Sequence, residues 1–303
     1  ASCLAKLLVP PRFQHSQILL PRNLPAFGNH SAMYQNPPQQ HPPQQYQPGQ
    51  MAAPGIVMGT PVPEAGDIGK MPVSQVPPEV RNGFVRKVYS LLSVQLMVTF
   101  GIALYMNTQL TPLWVAKHLG IYYMASLGTL AMMLGVSCCC ADALRNFPFN
   151  YAFLAALTIG MSITVGFATV LYTTDSVLLA LGTTAGVFLV LTAYACLTTT
   201  DFTGIGPYLF AGLIALMMFG FVISIFSWLT GTPMVGSMVH KLYAGCGVLL
   251  FVFYIIYDTQ LIVGGEHKKQ QFAVDDYVFA TIELYLDVIN LFVFLLELMG
   301  DRR

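Results

Sequence analysis

Three acidic residues lie inside stretches of sequence that are otherwise apolar. Asp258 occurs in YIIYDTQLIV, and Glu283 and Asp287 occur in ELYLDVINLF. A charged side chain at the centre of a bilayer costs about 2.5 to 3.5 kcal/mol on insertion scales, so acids there usually bind ions or protons. Glu283 and Asp287 are four residues apart and therefore share one helical face. We expect that face to point into the protein and away from lipid.

Asp258 and Asp287 are the candidate gate. Their two apolar stretches are joined by GGEHKKQQFAVDD, which favours antiparallel neighbouring helices and lets the two carboxyl groups meet. Two carboxyl groups in a site of low dielectric constant cannot both ionise easily, so we expect them to share a proton and a hydrogen bond. When both are deprotonated, their repulsion separates the helices and leaves a transient site for a hard cation such as Ca²⁺.

Other residues could complete an ion path. Glu283 and Asn290 are candidates on the seventh apolar stretch, and Arg145, in DALRNFPFNY, is a candidate cationic partner of the acids. Arg145 could instead anchor the chain at the membrane edge, and each acid could simply cap the backbone or bind a nearby tyrosine or threonine. At helical rise Asp258 lies about 8 Å and Asp287 about 15 Å from the same membrane edge, so their contact would need tilt or local unwinding.

The elements that must position these residues are membrane-spanning helices. The chain is 55% hydrophobic and 9% charged, whereas an average soluble domain is roughly 25% charged. Its apolar residues form blocks of about 20, the length that crosses a bilayer. The composition predicts an all-α integral membrane protein with about seven helices in a bundle. For the seventh block a re-entrant or protein-buried helix is the alternative. The blocks cover residues 88–106, 121–140, 149–172, 176–196, 206–229, 242–263 and 277–299.

The first 80 residues have a different composition. They hold 15 of the 19 prolines, and residues 35–50 read QNPPQQHPPQQYQPGQ. Such a segment can bury almost nothing, so we predict a disordered cytosolic tail over residues 1–80 and a transmembrane domain over residues 81–303. Because Met33 is the first plausible start, residues 1–32 are interpreted as a leader or a gene-model artefact.

Basic residues at the block edges predict the orientation. Lys117 and Lys241 fall on one side of the membrane, and the other side holds Arg81, Arg86, Lys87, Arg145, Lys268 and Lys269. Cytosolic connections carry the excess of lysine and arginine in membrane proteins. The pattern predicts a multi-pass protein with a cytosolic N-terminus.

Several functions are disfavoured. Lysine plus arginine and aspartate plus glutamate number 14 each, so there is no basic field for nucleic acid. The sequence lacks HExxH, GxSxG, Walker and GxGxxG motifs, and no paired nucleophile and base stands out. We therefore predict a protein that is not an enzyme and has no cofactor.

The motifs YDTQLI and LYLDVINLF resemble those of the last two helices of the Bax-inhibitor/Lifeguard transmembrane family. The segments FVRKVYSLLSVQLMVTF and DALRNFPFNY resemble the Lifeguard branch, and the resemblance covers about residues 79–300. It implies seven spans, an endomembrane location and suppression of cell death. In that family the motif aspartates, here Asp258 and Asp287, form a pH-sensing pair that gates a calcium leak. The resemblance also implies a latch role for Arg145, although relatives commonly have two adjacent arginines and this chain has Leu144 at the first position.

The favoured hypothesis is a pH-sensitive calcium leak channel of the endoplasmic reticulum or Golgi, with the plasma membrane as another location. It would regulate calcium stores and suppress apoptosis, with the lipid bilayer as its surroundings and calcium ions and protons as its ligands. One alternative is a non-conducting scaffold that modulates cell death through apoptosis-regulating membrane proteins. The other is a proton-coupled cation exchanger, because buried acids also serve transporters.

Overall fold

The part of the chain that the structure describes is a bundle of seven long helices. The computed structural model describes residues 69–139, 144–231, 238–264 and 271–303. All seven helices are long and apolar enough to cross a membrane, which confirms the predicted all-α membrane fold. The disordered tail was predicted for residues that lie almost entirely outside the described ones. We number the helices α1 (Pro78–Gln109), α2 (Leu119–Cys139), α3 (Phe149–Val170), α4 (Thr174–Leu197), α5 (Gly206–Thr230), α6 (Met238–Val263) and α7 (Tyr277–Met299).

Local signals set the helix ends. The Thr173 hydroxyl accepts a hydrogen bond from Ser176 N at the start of α4, as an N-cap should. Gly264, with φ of +66°, follows the last turn of α6 in the left-handed conformation that ends many helices. The prediction that the first helix begins near Val88 was wrong, because α1 begins at Pro78. Proline favours the first helical position, and the polar first turns of α1 extend beyond the apolar block that hydropathy detects.

Helix α7 forms the centre of the bundle. It packs against α1, α3, α4 and α6. In its most apolar stretch of 18 residues, 83% of the residues are buried. By contrast, α5 exposes large apolar side chains such as Phe221 and Trp228 on its outer face. The seventh segment is thus a continuous helix enclosed by protein. This placement keeps its acidic residues away from lipid, where they would be costly.

Buried hydroxyl groups join α7 to α1 and α3. The Thr99 and Tyr285 hydroxyls are 2.8 Å apart, and Ser162 Oγ donates to Thr99 Oγ1 at 3.2 Å. One turn away, Gln95 Nε2 donates to Thr158 Oγ1 at 2.9 Å. Such polar contacts between helices supply specific attraction where lipid offers no hydrophobic driving force.

Helices α6 and α7 pack closely at a glycine. A Cβ atom on residue 247 would lie 2.5 Å from Phe294 Cδ1. The Phe294 ring also stacks on Phe251, with 5.7 Å between centroids. Gly247 therefore provides the space in which this ring sits.

A methyl group at position 247 should disturb this packing. We expect Gly247→Ala to lower stability by about 1 to 2 kcal/mol, because the new Cβ would force the Phe294 ring to move. Gly245→Ala is the matched control, since a Cβ at residue 245 meets nothing within 4 Å. Thermal unfolding of the purified variants in detergent measures the difference. Equal unfolding temperatures for the two variants would contradict this account of the interface.

Residues 69–76 were predicted to be part of the disordered tail, but they fold against the connection before α7. Val73 N donates to Phe272 O at 3.0 Å, Val274 N donates to Met71 O at 3.2 Å, and Pro72 forms an antiparallel bridge with Ala273. Val73 is fully buried. We call this end of the bundle the N-terminal face.

Residues 301–303 lie at the opposite end, which we call the C-terminal face. Thr173 N donates to Asp301 O at 3.0 Å, and Arg303 N donates to Leu171 O at 2.9 Å. These bonds tie the end of α7 to the turn between α3 and α4. An odd number of spanning helices places residues 69–76 and residues 301–303 at opposite ends of the bundle, as the structure shows.

Candidate functional site

A cavity near the N-terminal face contains two of the predicted acids. Asp258 from α6 and Glu283 from α7 both line it, and the other walls are mostly apolar. Its volume of about 40 Å³ is enough for a few water molecules, since one needs roughly 10 to 15 Å³. The other lining residues include Met133, Phe153, Phe210, Tyr254, Tyr257 and Leu286. The structure thus brings Asp258 and Glu283 to one internal space.

Tyr257 is a site residue that the sequence analysis missed. It lines the cavity and lies within electrostatic range of both Asp258 and Glu283. A Cβ on residue 206 would lie 2.7 Å from the Tyr257 hydroxyl oxygen, so the glycine that begins α5 leaves room for this side chain. A phenol beside two carboxyl groups can donate a hydrogen bond to either.

Asp258 and Asp287 are both enclosed by protein. Asp258 is 1% exposed and Asp287 is 0% exposed, and their helices pack against each other. Asp287 is outside the set of residues that line the cavity. From the close contact of Gly247 with Phe294, the antiparallel register places Asp287 level with Tyr254, about one 5.4 Å turn from Asp258. Pairing of the two carboxyl groups remains a prediction.

Asn290 continues the polar face of α7 away from the cavity. It is 5% exposed, and its Nδ2 donates to Leu286 O in its own helix at 2.8 Å. It lies about one turn from Asp287 toward the C-terminal face. Its role in an ion path stays a prediction.

Arg145 forms an ion pair with Asp276. Arg145 Nε and Nη2 donate to Asp276 Oδ1 at 3.0 and 2.9 Å. Asp276 is 2% exposed on its side chain, whereas Arg145 is 35% exposed. Leu144, the preceding residue, lines the cavity. The ion pair therefore stands near the cavity and ties the connection between α2 and α3 to the residue just before α7.

The sequence analysis predicted Asp258 or Asp287 as the acid near Arg145 and did not consider Asp276. The residue before Asp276 is also an aspartate, Asp275, so composition could not select between the two. A second contact at this place joins α1 to α7, where Lys87 Nζ lies 3.3 Å from the ring centroid of Tyr277. Such a cation–π contact helps to hold the start of α7.

The described residues contain no group of three or more histidine, cysteine, aspartate or glutamate side chains that could hold a metal ion. Two carboxylates with water and carbonyl oxygens are a weaker calcium site than a dedicated cage.

The two predicted motifs thus lie on neighbouring helices, with their acids enclosed in the bundle. The family model described as "Inhibitor of apoptosis-promoting Bax1" matches residues 81–303. The chain belongs to this family. It is 33% identical to human Protein lifeguard 3 over 226 residues, which are 74% of this chain and 70% of that protein. It is 29% identical to Bax inhibitor 1 of Schizosaccharomyces pombe over 231 residues, or 76% and 80% of the two chains.

Mouse Protein lifeguard 3 is also similar, with 30% identity over 229 residues that cover 74% of this chain and 71% of the relative. Membership of the Bax inhibitor and lifeguard family agrees with the resemblance carried by YDTQLI and LYLDVINLF, which is confirmed. The matched range of the family model includes every candidate site residue and all seven helices except the first three residues of α1.

Proposed function

We propose that this protein is a pH-sensitive calcium leak channel of an endomembrane, the endoplasmic reticulum or Golgi, which lowers the calcium load of the store and thereby suppresses apoptosis. The description of the family model and the name of the yeast relative support the link to cell death. One observation supports ion conduction above the others. Asp258 and Glu283 share an internal cavity, and Asp287 is buried nearby on the same face of the central helix.

The proposed gate uses the two charge states of the acids. With a shared proton the pair carries less charge and is bridged by a hydrogen bond, so α6 and α7 stay together. Without it, the carboxylates repel each other and form an anionic site that attracts Ca²⁺. Glu283 and Tyr257 face the same cavity. A charged Glu283 would repel the ionised pair and so favours the protonated state until a cation binds, and the Tyr257 hydroxyl can donate a hydrogen bond to a carboxylate.

The ion pair of Arg145 with Asp276 has a positioning role in this proposal. It holds the residue that precedes α7 against the connection between α2 and α3. Because Leu144 lines the cavity, a movement of this connection changes the cavity wall. Opening of the gate would therefore strain or break the pair, which is the latch role that the family resemblance suggested.

Calcium efflux from liposomes tests the proposal. Wild-type protein should release calcium faster as pH rises, because the acids lose their shared proton and the anionic site forms. Asp258→Asn and Asp287→Asn keep the size of the side chains and remove their ability to ionise, so both should flatten the pH dependence. Asp175→Asn, at an exposed residue of α4, is the matched control and should behave as wild type.

Two outcomes would reject this function. If both aspartate variants show the efflux and pH profile of the wild type, the acids are not the gate. If folded wild-type protein releases no calcium at any pH, it does not conduct, and a scaffold that acts on cell-death proteins becomes the better explanation.

A further inference from the structure

Helix α7 presents a row of polar residues that is broken at one place. Glu283, Asp287, Asn290, Phe294 and Glu297 follow one another at spacings of four and three, so they lie along one face. Four of the five are acidic or amide side chains. Phe294 alone is apolar, and it separates Asn290 from Glu297.

Helix α6 presents a matching row. The residues at spacings of three and four that share this face are His240, Tyr243, Gly247, Phe251, Tyr254 and Asp258. The row begins and ends with an ionisable side chain and is aromatic or small between them. Because α6 and α7 are antiparallel neighbours, the two rows face each other along a line that we call the seam. The polar ends of the rows meet at both ends of this seam.

The two ends of this seam lie near opposite faces of the bundle. At the N-terminal face Asp258 and Glu283 line the cavity. At the other end His240 Nε2 lies 4.0 Å from Glu297 Oε2, and Arg302 is within electrostatic range of both residues. Asp258 and His240 are about 27 Å apart along α6 at 1.5 Å per residue. Ionisable side chains thus lie at both ends of the seam.

An aromatic block closes the middle of the seam. Phe294 is 6% exposed and sits in the space left by Gly247. Its ring stacks on Phe251, which is fully buried, and meets the edge of Tyr243 at a centroid distance of 5.5 Å. A hydrated cation between Asn290 and Glu297 would have to pass this ring.

We propose that Phe294 is the hydrophobic gate of the calcium path, and that it closes the seam between the buried acids and the pair of His240 with Glu297. This inference rests on the proposed leak function and adds a second barrier to it. An apolar constriction blocks ions because water leaves it and a cation cannot give up its hydration there. Gly247 leaves the space that the ring occupies, and a shift of α7 against α6 would move the ring out of this space.

Shortening the gating side chain should open the path. Phe294→Ala is expected to raise calcium efflux from liposomes several-fold at constant pH, because the remaining space admits water. Phe294→Leu keeps an apolar side chain and should stay closer to wild type. Phe221→Ala, a phenylalanine of α5 that is 60% exposed toward lipid, is the matched control and should leave efflux unchanged. Unchanged or reduced efflux for folded Phe294→Ala would overturn the gate.

A labelling experiment tests the barrier without calcium conduction. Asn290→Cys is introduced after the native cysteines are replaced by serine, and a membrane-impermeant thiol reagent is added from the side of the C-terminal face. With Phe294 present we expect slow labelling, and with Phe294→Ala we expect labelling to be several-fold faster. Equal rates in the two proteins would overturn the proposal.

The two experiments separate the inference from the function on which it rests. If wild-type protein conducts no calcium but labelling depends on Phe294, the leak function fails and the aromatic barrier stands. If efflux depends on Asp258 and Asp287 but neither efflux nor labelling depends on Phe294, the leak function stands and the aromatic gate fails. Size-exclusion profiles and unfolding temperatures confirm that each variant compared is folded.

Discussion

Replacing Asn107 with alanine is expected to destabilise the protein by about 2 to 4 kcal/mol, because several buried polar groups lose their partner at once. Asn107 is fully buried. Its Nδ2 donates to Thr169 O at 2.6 Å and to Tyr172 O at 3.0 Å, and its Oδ1 accepts from Thr174 Oγ1 at 2.9 Å and from Arg303 Nη2 at 3.4 Å. One amide thus joins α1, α3, α4 and the chain that follows α7.

The size of this effect follows from where the partners are. The carbonyl oxygens of Thr169 and Tyr172 belong to the last turn of α3 and the residues after it, which have fewer helical partners than a helix interior. An unmet buried polar group costs about 1 to 3 kcal/mol, and water at the membrane edge recovers part of this. Arg303 would keep its bond from Nη1 to Asn107 O at 2.9 Å, so the loss is not complete.

Thr108→Ala provides the control for Asn107→Ala. Thr108 is the next residue of α1, is exposed, and donates only to Tyr105 O within its own helix. We expect its removal to change stability by less than about 0.5 kcal/mol. Thermal unfolding of both variants in the same detergent measures the difference. Similar unfolding temperatures for the two would show that the Asn107 network contributes little.

The sequence predicted the helices well because lipid imposes a simple rule. A block of about 20 apolar residues is needed to cross the bilayer, and α3, α5 and α7 begin where their blocks begin, at residues 149, 206 and 277. The start of α1 was missed for the same reason. Its first turns carry Arg81, Arg86 and Lys87 and continue the helix beyond the apolar block.

Composition does not predict which glycines form close contacts between helices. In composition all glycines of the spans are alike, since each permits close approach. In the structure a Cβ on residue 166 would meet the Met106 sulfur and one on residue 220 the Tyr243 hydroxyl, whereas one on residue 182 would meet nothing within 4 Å. Which glycine forms a contact depends on the facing helix, and a single helix sequence does not contain that information.

In the candidate site, too, the sequence predicts which residues are buried but not which residues meet. The cost of charge in lipid predicts that the acids of α6 and α7 face the interior, and Asp258 and Asp287 are indeed buried. That Glu283 shares a cavity with Asp258 depends on the tilt and register of two helices. That Asp276 faces Arg145 depends on the backbone path before α7. Neither follows from spacing along the chain.

The ion pair of Arg145 with Asp276 should respond unequally to the loss of either partner. Arg145→Met leaves the carboxylate of Asp276, 2% exposed on its side chain, without its guanidinium. We expect a loss of about 2 to 3 kcal/mol, somewhat less than for a fully buried pair because the arginine is partly hydrated. Ala273 N still donates to Asp276 Oδ2 at 3.2 Å and recovers some of it.

Asp276→Asn should cost about 1 kcal/mol or less, because Arg145 can turn its charged group toward water. The asparagine keeps an oxygen that can accept from Ala273 N. The double variant Arg145→Met with Asp276→Asn should be more stable than Arg145→Met alone, because it removes the uncompensated buried charge. Thermal unfolding of the wild type, both single variants and the double variant completes the cycle and gives the coupling energy.

The order of the three losses is the test of this account. An exposed ion pair would give small and nearly equal effects for the two single variants and no recovery in the double variant. The structure places one partner in the protein and the other at its surface, so only the variant that strands the buried carboxylate should be costly. If the same variant also changes calcium efflux at constant pH while Asp276→Asn does so less, the hold of this pair on the start of α7 acts on the gate as well as on the fold.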